Sequence, residues 1–172
     1  MTTTRETEVQ ITRALPKHTT ALKSLTTAAF TKYIERLGRP PAPMLVDYEK
    51  LLSTPDVFVY VLLDVDFSAP NSNSNLKIQD VSILGSITLY PLQTSLQINN
   101  LVVDPNAQGR GYGRLLIEFA EAKARELGRE AATLATNVKM VENIAVYTKL
   151  GYAEVGRGVE DGYERVFFRK EL

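Results

Sequence analysis

Between Leu101 and Arg114 the chain passes from an apolar stretch, through Asp104-Pro105, into the series Gly109-x-Gly111-x-Gly113, and then into an amphipathic helix. No other segment limits the fold as strongly. A strand that ends in a glycine-rich loop and opens directly into a helix must lay that helix back across a sheet. The expected helix runs from Gly113 to Leu127. Leu115, Leu116, Phe119, Ala120 and Leu127 share one face, Glu121 and Arg125 stand at an i,i+4 ion-pair spacing, and Gly128 supplies the stop. The loop presents several backbone N–H groups with little side-chain obstruction, and the helix dipole adds partial positive charge. A phosphate or pyrophosphate suits both, with Arg110 and Arg114 available for charge-assisted contacts. The spacing departs from the dinucleotide fingerprint, which needs glycine where Arg114 stands, and it lacks the Gly-Lys-Ser/Thr ending of a Walker loop.

Elsewhere the periodicity alternates between strand and helix. Val9–Leu15 reads as a strand following a Thr-rich, frayed start. A helix is expected from Pro16 to Leu37, stopped by Gly38. The Arg39–Met44 segment holds three prolines and cannot be helix, whereas Asp47–Leu52 reads as a short one. Strands are expected at Val57–Val65, Val81–Tyr90, Leu96–Val103, Ala131–Thr136, Tyr152–Arg157 and Tyr163–Arg169. Another helix is expected at Val141–Leu150, and Asp161-Gly162 reads as a hairpin turn. The Asn71–Asn75 tract reads as a solvated loop. The order β-α-α-β-β-β-α-β-α-β-β, without repeat or linker, describes one α+β domain over residues 1–172, a mixed central sheet covered by helices.

Composition narrows the function. Twenty basic residues balance twenty acidic ones in a chain of 172, so nothing marks a nucleic-acid binder or an anionic-membrane module. No cysteine is present and His18 is the one histidine, which argues against thiolate or His-rich metal sites and against a cysteine nucleophile. The N-terminal segment carries no signal or transit pattern, and no apolar run approaches the roughly 20 residues that span a bilayer. The expectation is a cytoplasmic protein without metal.

Gln108-Gly109-Arg110-Gly111-Tyr112-Gly113 fits the Q/R-x-x-G-x-G/A pattern of the GCN5-related N-acetyltransferase (GNAT) family, which it resembles also in the strand before and the helix after. Farther on, Glu142–Tyr152 is similar to the later part of that family's second signature, N-x-x-A-x-x-x-Y-x-x-x-G-F/Y. The resemblance covers most of the chain in element order and is specific from Val103 to Tyr152. It implies an acetyl-CoA-dependent N-acetyltransferase. In the family the strand before the loop splays from its neighbour and leaves backbone groups for the pantetheine arm, here at Leu101, Val102 and Val103. The loop from Gln108 through Gly109, Arg110, Gly111, Tyr112 and Gly113 to Arg114 would hold the pyrophosphate.

Tyr147 stands at the position of the family's usual general acid, where a phenol protonates the departing CoA thiolate. Asn143, one turn earlier, would bond the CoA arm; where the pattern often has asparagine, seven residues before the tyrosine, this chain has Met140, so Asn137 is the other candidate. A general base is missing from the strands that carry one in relatives, which here show Gln97, Asn99, Asn100, Ala135, Thr136 and Asn137. Water ordered by Asn99 or Asn100, or a carboxylate such as Glu35, Asp47 or Glu142, would have to serve. Without cysteine an acetyl-cysteine intermediate is impossible, leaving direct transfer in a ternary complex. The Tyr33–Tyr48 segment falls where the family's variable helices wall the acceptor site, so Tyr33, Met44 and Tyr48, with Asn99 and Asn100, are the expected acceptor residues. The partner expected is a small-molecule primary amine, with a homodimer left open. Acetylation of a protein N-terminus or lysine, and a non-catalytic acyl-CoA-binding domain, are the rival readings.

Overall fold

The computed structural model describes residues 7–66 and 81–172. The frayed start and the Asn71–Asn75 loop expected from the sequence lie outside the described residues. The elements are β1 (Thr7–Arg13), α1 (Thr19–Phe30), α2 (Ile34–Leu37), α3 (Tyr48–Ser53), β2 (Phe58–Asp66), β3 (Ser82–Pro91), β4 (Ser95–Val103), α4 (Tyr112–Glu126), β5 (Ala131–Asn137), α5 (Val141–Lys149), β6 (Ala153–Glu160) and β7 (Tyr163–Glu171).

The expected Pro16–Leu37 helix is corrected to four pieces. Pro16–His18 is a 3₁₀ turn, α1 ends at Phe30, and a second 3₁₀ turn, Thr31–Tyr33, separates it from α2. The break is local chemistry that apolar spacing does not report, for the Thr31 hydroxyl donates back to the Thr27 carbonyl at 2.6 Å. Gly38 closes α2 at φ +73°, and Asp161 and Gly162, both at positive φ, make the β6–β7 hairpin.

Seven strands form one sheet in the order β1-β2-β3-β4-β5-β7-β6. All neighbours are antiparallel except β4 and β5, which are parallel. One face packs on α4, where Leu116, Ile117, Ala120 and Ala124 meet Leu96, Ile98, Leu134 and Phe168. The other face packs on α1, through Leu25, Ala29 and Phe30 against Val102 and Met140.

A bulge in β4 decides which side chains reach which face. Ser86 pairs with Val102 and Thr88 with Asn99, so Asn100 and Leu101 together oppose Ile87, and Asn100 takes φ +47°. Before the bulge the even-numbered Leu96 and Ile98 point to α4; after it Leu101 and Val103 do, and Val102 turns to α1.

Glu121 is not the surface partner of Arg125 that its spacing suggests. It is only 6% exposed, sits 2.9 Å from the Lys170 ammonium and accepts a hydrogen bond from the Tyr152 hydroxyl at 3.1 Å. A carboxylate shut in that deeply is retained by these two donors, not by a solvated neighbour.

Candidate active site

The parallel pair β4–β5 is short. Ser95–Ile98 pair with Ala131–Leu134, and beyond them the strands part, leaving Asn99–Val103 on β4 and Ala135–Asn137 on β5 without each other. α4 begins at this opening. Its N-cap, Gly111, has φ +84° and no side-chain cap, so the first N–H groups of a 15-residue helix face outward unbonded by a capping side chain.

A cleft of about 350 Å³ lies between these parts. Leu101, Val102, Val103, Gln108, Gly109, Gly111, Tyr112, Gly113, Arg114, Asn143 and Tyr147, all expected from the sequence, line it together. Arg110 does not; its guanidinium leans on the Asn106 carbonyl at 3.5 Å. Arg114 is half committed, since its Nε donates to Glu118 at 2.7 Å. Gln108 ties the loop to the strand by donating to the Val103 carbonyl at 3.3 Å.

Val146 and Leu150, within the Glu142–Tyr152 signature but at its unspecified positions, also line the cleft, as do Ala29, Phe30, Lys32 and Ile117, which no local motif announced. They arrive by packing of α1, α4 and α5. The shape suits acetyl-CoA. An extended arm finds the free edge of β4, and a phosphate finds uncapped N–H groups beside Gly109 and Gly111, where a Cβ would meet no protein atom within 4 Å.

A second cavity, also of about 350 Å³, lies on the α1 face of the opened strands. Its polar wall comprises Gln97, Asn99, Asn100, Thr136 and Asn137; Pro41, Ala42 and Pro43 close one side, and the β6–β7 hairpin brings Glu160, Asp161, Tyr163 and Arg165 to another. Gln97 donates to the Asn99 Oδ1 at 3.2 Å, fixing that amide.

Phe30, Leu101, Asn143 and Tyr147 line both spaces. Tyr147 is 9% exposed, wedged between Tyr152 and Phe168 with ring centroids 6.3 and 5.8 Å away. Burial, reinforced by Tyr33, pushes its phenol up to about 12. Asn143 turns its amide toward the Thr136 hydroxyl at 3.4 Å.

The expected acceptor residues divide. Asn99 and Asn100 line the second cavity. Tyr33 instead lines the first, held between Phe30 and the cations of Lys32 and Arg36. Met44 packs under the α1 cluster and reaches neither space. Tyr48 is a core residue, 3% exposed among Leu22, Val59 and Val61, with its hydroxyl 2.7 Å from that of Thr26. The Pro-rich segment walls the cavity with Pro41–Pro43, flanked by Leu37 and Val46, and not with Met44 or Tyr48.

The carboxylates named from the sequence are unsuited to accept a proton from an acceptor. Asp47 caps α3 by accepting from the Lys50 N–H. Glu142 is bound to Arg36 at 2.8 Å, which together with a backbone hydrogen bond holds its carboxyl down to about 2. Glu35 lines neither space. Among the described residues no group of three or more histidine, aspartate or glutamate side chains is placed to hold a metal ion.

Known proteins agree with this geometry. Residues 27–152 match the model of the acetyltransferase (GNAT) family. The chain is 32% identical over 106 residues to the aminoalkylphosphonate N-acetyltransferase of Salmonella typhimurium, an alignment covering 58% of this chain and 65% of that protein. It is 38% identical over 60 residues to the IAA acetyltransferase of Azospirillum brasilense, covering 35% and 39%. The matches thus span less than two thirds of these relatives' own lengths. Among solved structures, the PaiA N-acetyltransferase of Thermoplasma acidophilum in complex with coenzyme A superposes with a TM-score of 0.70 at 13% identity, over 96% of this chain and 99% of that one. The seven-stranded mixed sheet with its covering helices is therefore the fold of these acetyltransferases. The chain belongs to the GNAT family.

Proposed function

We propose that the protein is an acetyl-CoA-dependent N-acetyltransferase whose acceptor is the primary amine of a small molecule. The observation that carries this reading is the position of Tyr147. Its side chain is shared by a cleft shaped for an extended phosphate-bearing ligand and by a separate polar cavity, and the two meet where β4 and β5 part. The volume of the second cavity is at the small end for ligand sites and suits a compact acceptor. The Salmonella relative, named for acetylating aminoalkylphosphonates, supports the same class.

Acetyl-CoA, when bound, supplies an acyl carbon and a sulfur leaving group. The balance of the reaction is amine plus thioester to amide plus thiol, so nitrogen sheds one proton and sulfur gains one. Tyr147 holds a proton for the sulfur. With its phenol near 12 it is fully protonated at neutral pH. It is also a weaker acid than a thiol, whose reference value is about 8.5, so outright transfer is uphill by roughly 5 kcal/mol. Tyr147 therefore acts as a hydrogen-bond donor to the developing negative charge, and as it passes its proton to the sulfur it regains one from the water that takes up the nitrogen's proton, so the net transfer is one proton from nitrogen to sulfur. Gln97 and Asn99, which bond each other, offer amide dipoles and not a base, so the nitrogen's proton passes to water in a cavity whose lining also carries the carboxylates of Glu160 and Asp161. Positioning supplies much of the rate.

The test is thiol release from acetyl-CoA in the presence of a panel of small amines and of peptides with free N-termini. Turnover of small amines with peptides inert is expected. No release with any amine would reduce the protein to a binder, and preferential peptide turnover would replace the acceptor class.

A further inference from the structure

The second cavity has one cation in its lining among the described residues, Arg165 on β7. β7 projects it from the face that also presents Tyr163, and its neighbour across the ladder on β5 is Asn137. The side chain is 17% exposed, and Nε is closed off from solvent without a hydrogen-bond partner among the described residues. Two carboxylates share the lining with it, those of Glu160 and Asp161, and only Glu160 forms an ion pair with it among the described residues. Glu160 approaches Nε at 3.4 Å without hydrogen-bond geometry, and it is itself 53% exposed at the hairpin end. Asn137 does not serve Arg165, because its Oδ1 accepts from the Lys139 N–H at 2.9 Å. Arg39, the other cation nearby, is stacked 3.5 Å from the Tyr163 ring and does not line the cavity.

A guanidinium held over the Tyr163 ring at 5.5 Å, with its buried Nε lacking a hydrogen-bonded acceptor and one loosely aligned carboxylate beside it, can still take an anion. Its planar fork matches a carboxylate or phosphonate with two parallel hydrogen bonds. The half-exposed Glu160 is a weak competitor, since surface pairs of poor geometry hold little energy.

We infer that the acceptor is a short molecule carrying an anionic group as well as its primary amine, and that Arg165 is the residue that reads the anion. The amine end then lies toward Asn99 and Tyr147, and the carboxylate or phosphonate lies under the β6–β7 hairpin. This rests on the acetyltransferase reading above and adds a specificity residue that no motif marks.

The experiment compares β-alanine, 2-aminoethylphosphonate and the neutral 3-aminopropanol as acceptors, with wild type, Arg165→Gln and Arg165→Lys. In the wild type at least one anionic amine should exceed the neutral one at least tenfold in kcat/KM. Arg165→Gln should reduce the anionic substrate at least tenfold more than the neutral one, through KM for the amine. Arg165→Lys should restore part of the loss, and KM for acetyl-CoA should move less than twofold. The ratio of the two anionic arms tells carboxylate from phosphonate. Equal use of the neutral amine, or an equal loss for all three, would overturn the inference.

Binding is read separately by calorimetric titration of ethylphosphonate and propionate into protein saturated with CoA, which fills the phosphate loop. Binding that Arg165→Gln abolishes sustains the anion site even where no amine is turned over, an outcome that would sink the activity and not the site. No binding of either anion, or binding indifferent to Arg165→Gln, would overturn it.

Discussion

Arg36 Nη1 lies 2.8 Å from Glu142 Oε2 and 3.1 Å from the Lys139 carbonyl, joining α2 to the start of α5 across 106 residues of sequence. The pair spans the flank of the first cleft, which Glu142 lines. Both side chains are roughly half exposed, so the bond adds little to stability.

Its pH signature is specific. The folded carboxyl sits at about 2, below the ordinary 4.5. A depressed carboxyl stabilises the fold fully above the unfolded value and loses that contribution as pH falls through the folded one. Glu142→Gln should therefore melt slightly below wild type at pH 7, and the two should converge between pH 4.5 and 2. A gap that stays constant across that range would show that the carboxylate's charge contributes nothing.

Tyr147→Phe keeps the ring that packs on Tyr152 and Phe168, so the fold and acetyl-CoA affinity should change little. Loss of the donor should lower kcat by about 10²- to 10⁴-fold where chemistry limits the rate. Because the wild-type phenol is pushed up to about 12, the wild-type pH–rate profile should show no decline attributable to it below about pH 11. A phenylalanine variant with near-full kcat would leave Tyr147 a packing residue.

The glycines of the loop should separate backbone strain from ligand contact. Gly111 is at φ +84°, where a side chain costs roughly 1–2 kcal/mol, so Gly111→Ala should lower both stability and acetyl-CoA affinity. Gly113 is not at positive φ, and its added Cβ would sit 3.8 Å from Val103 Cγ2, an ordinary contact. Gly113→Ala should thus fold normally, and calorimetry should report a weaker ligand alone. Unchanged affinity in both variants would remove the phosphate from this loop.

Tyr48→Phe deletes one hydroxyl in the core and leaves the Thr26 hydroxyl without its 2.7 Å partner. The expected cost is about 1–3 kcal/mol in denaturant unfolding, with KM for the amine unmoved. A shift in amine KM without loss of stability would return Tyr48 to the acceptor site.

What the sequence disclosed was chemistry that is local along the chain. Gly109–Gly113 with the following apolar stripe, Gly38 as a helix stop and Asp161-Gly162 as a turn each act within a few residues, and the element order followed from them. The hidden features depend on distant pairings. Asn100 looks like any strand asparagine until β3 opposes two residues with one, and only then does Leu101 change faces. Glu121 shows a surface spacing toward Arg125, while its partner Lys170 lies 49 residues on. The cleft residues Lys32 and Phe30, and the cavity residues Glu160 and Arg165, belong to segments with no motif, and folding alone carries them to the opening. Tyr48 failed as an acceptor residue for the opposite reason, because an aromatic beside a Pro-rich segment serves a core as readily as a pocket.

The early parting of β4 from β5 gives the sheet an unusual mechanical character. Strands β1–β4 form one antiparallel plate and β5–β7 another, and the seam between them is the short run from Ser95–Ala131 to Ile98–Leu134. α4 packs across this seam, touching β3, β4 and β5. A molecule inserted along the open edge of β4 works as a keystone between two plates, so occupancy of the cleft should be felt as rigidity across the whole sheet. Amide exchange near Asn99–Val103 and Ala135–Asn137 should slow together on binding, as stability rises with the logarithm of ligand concentration over Kd.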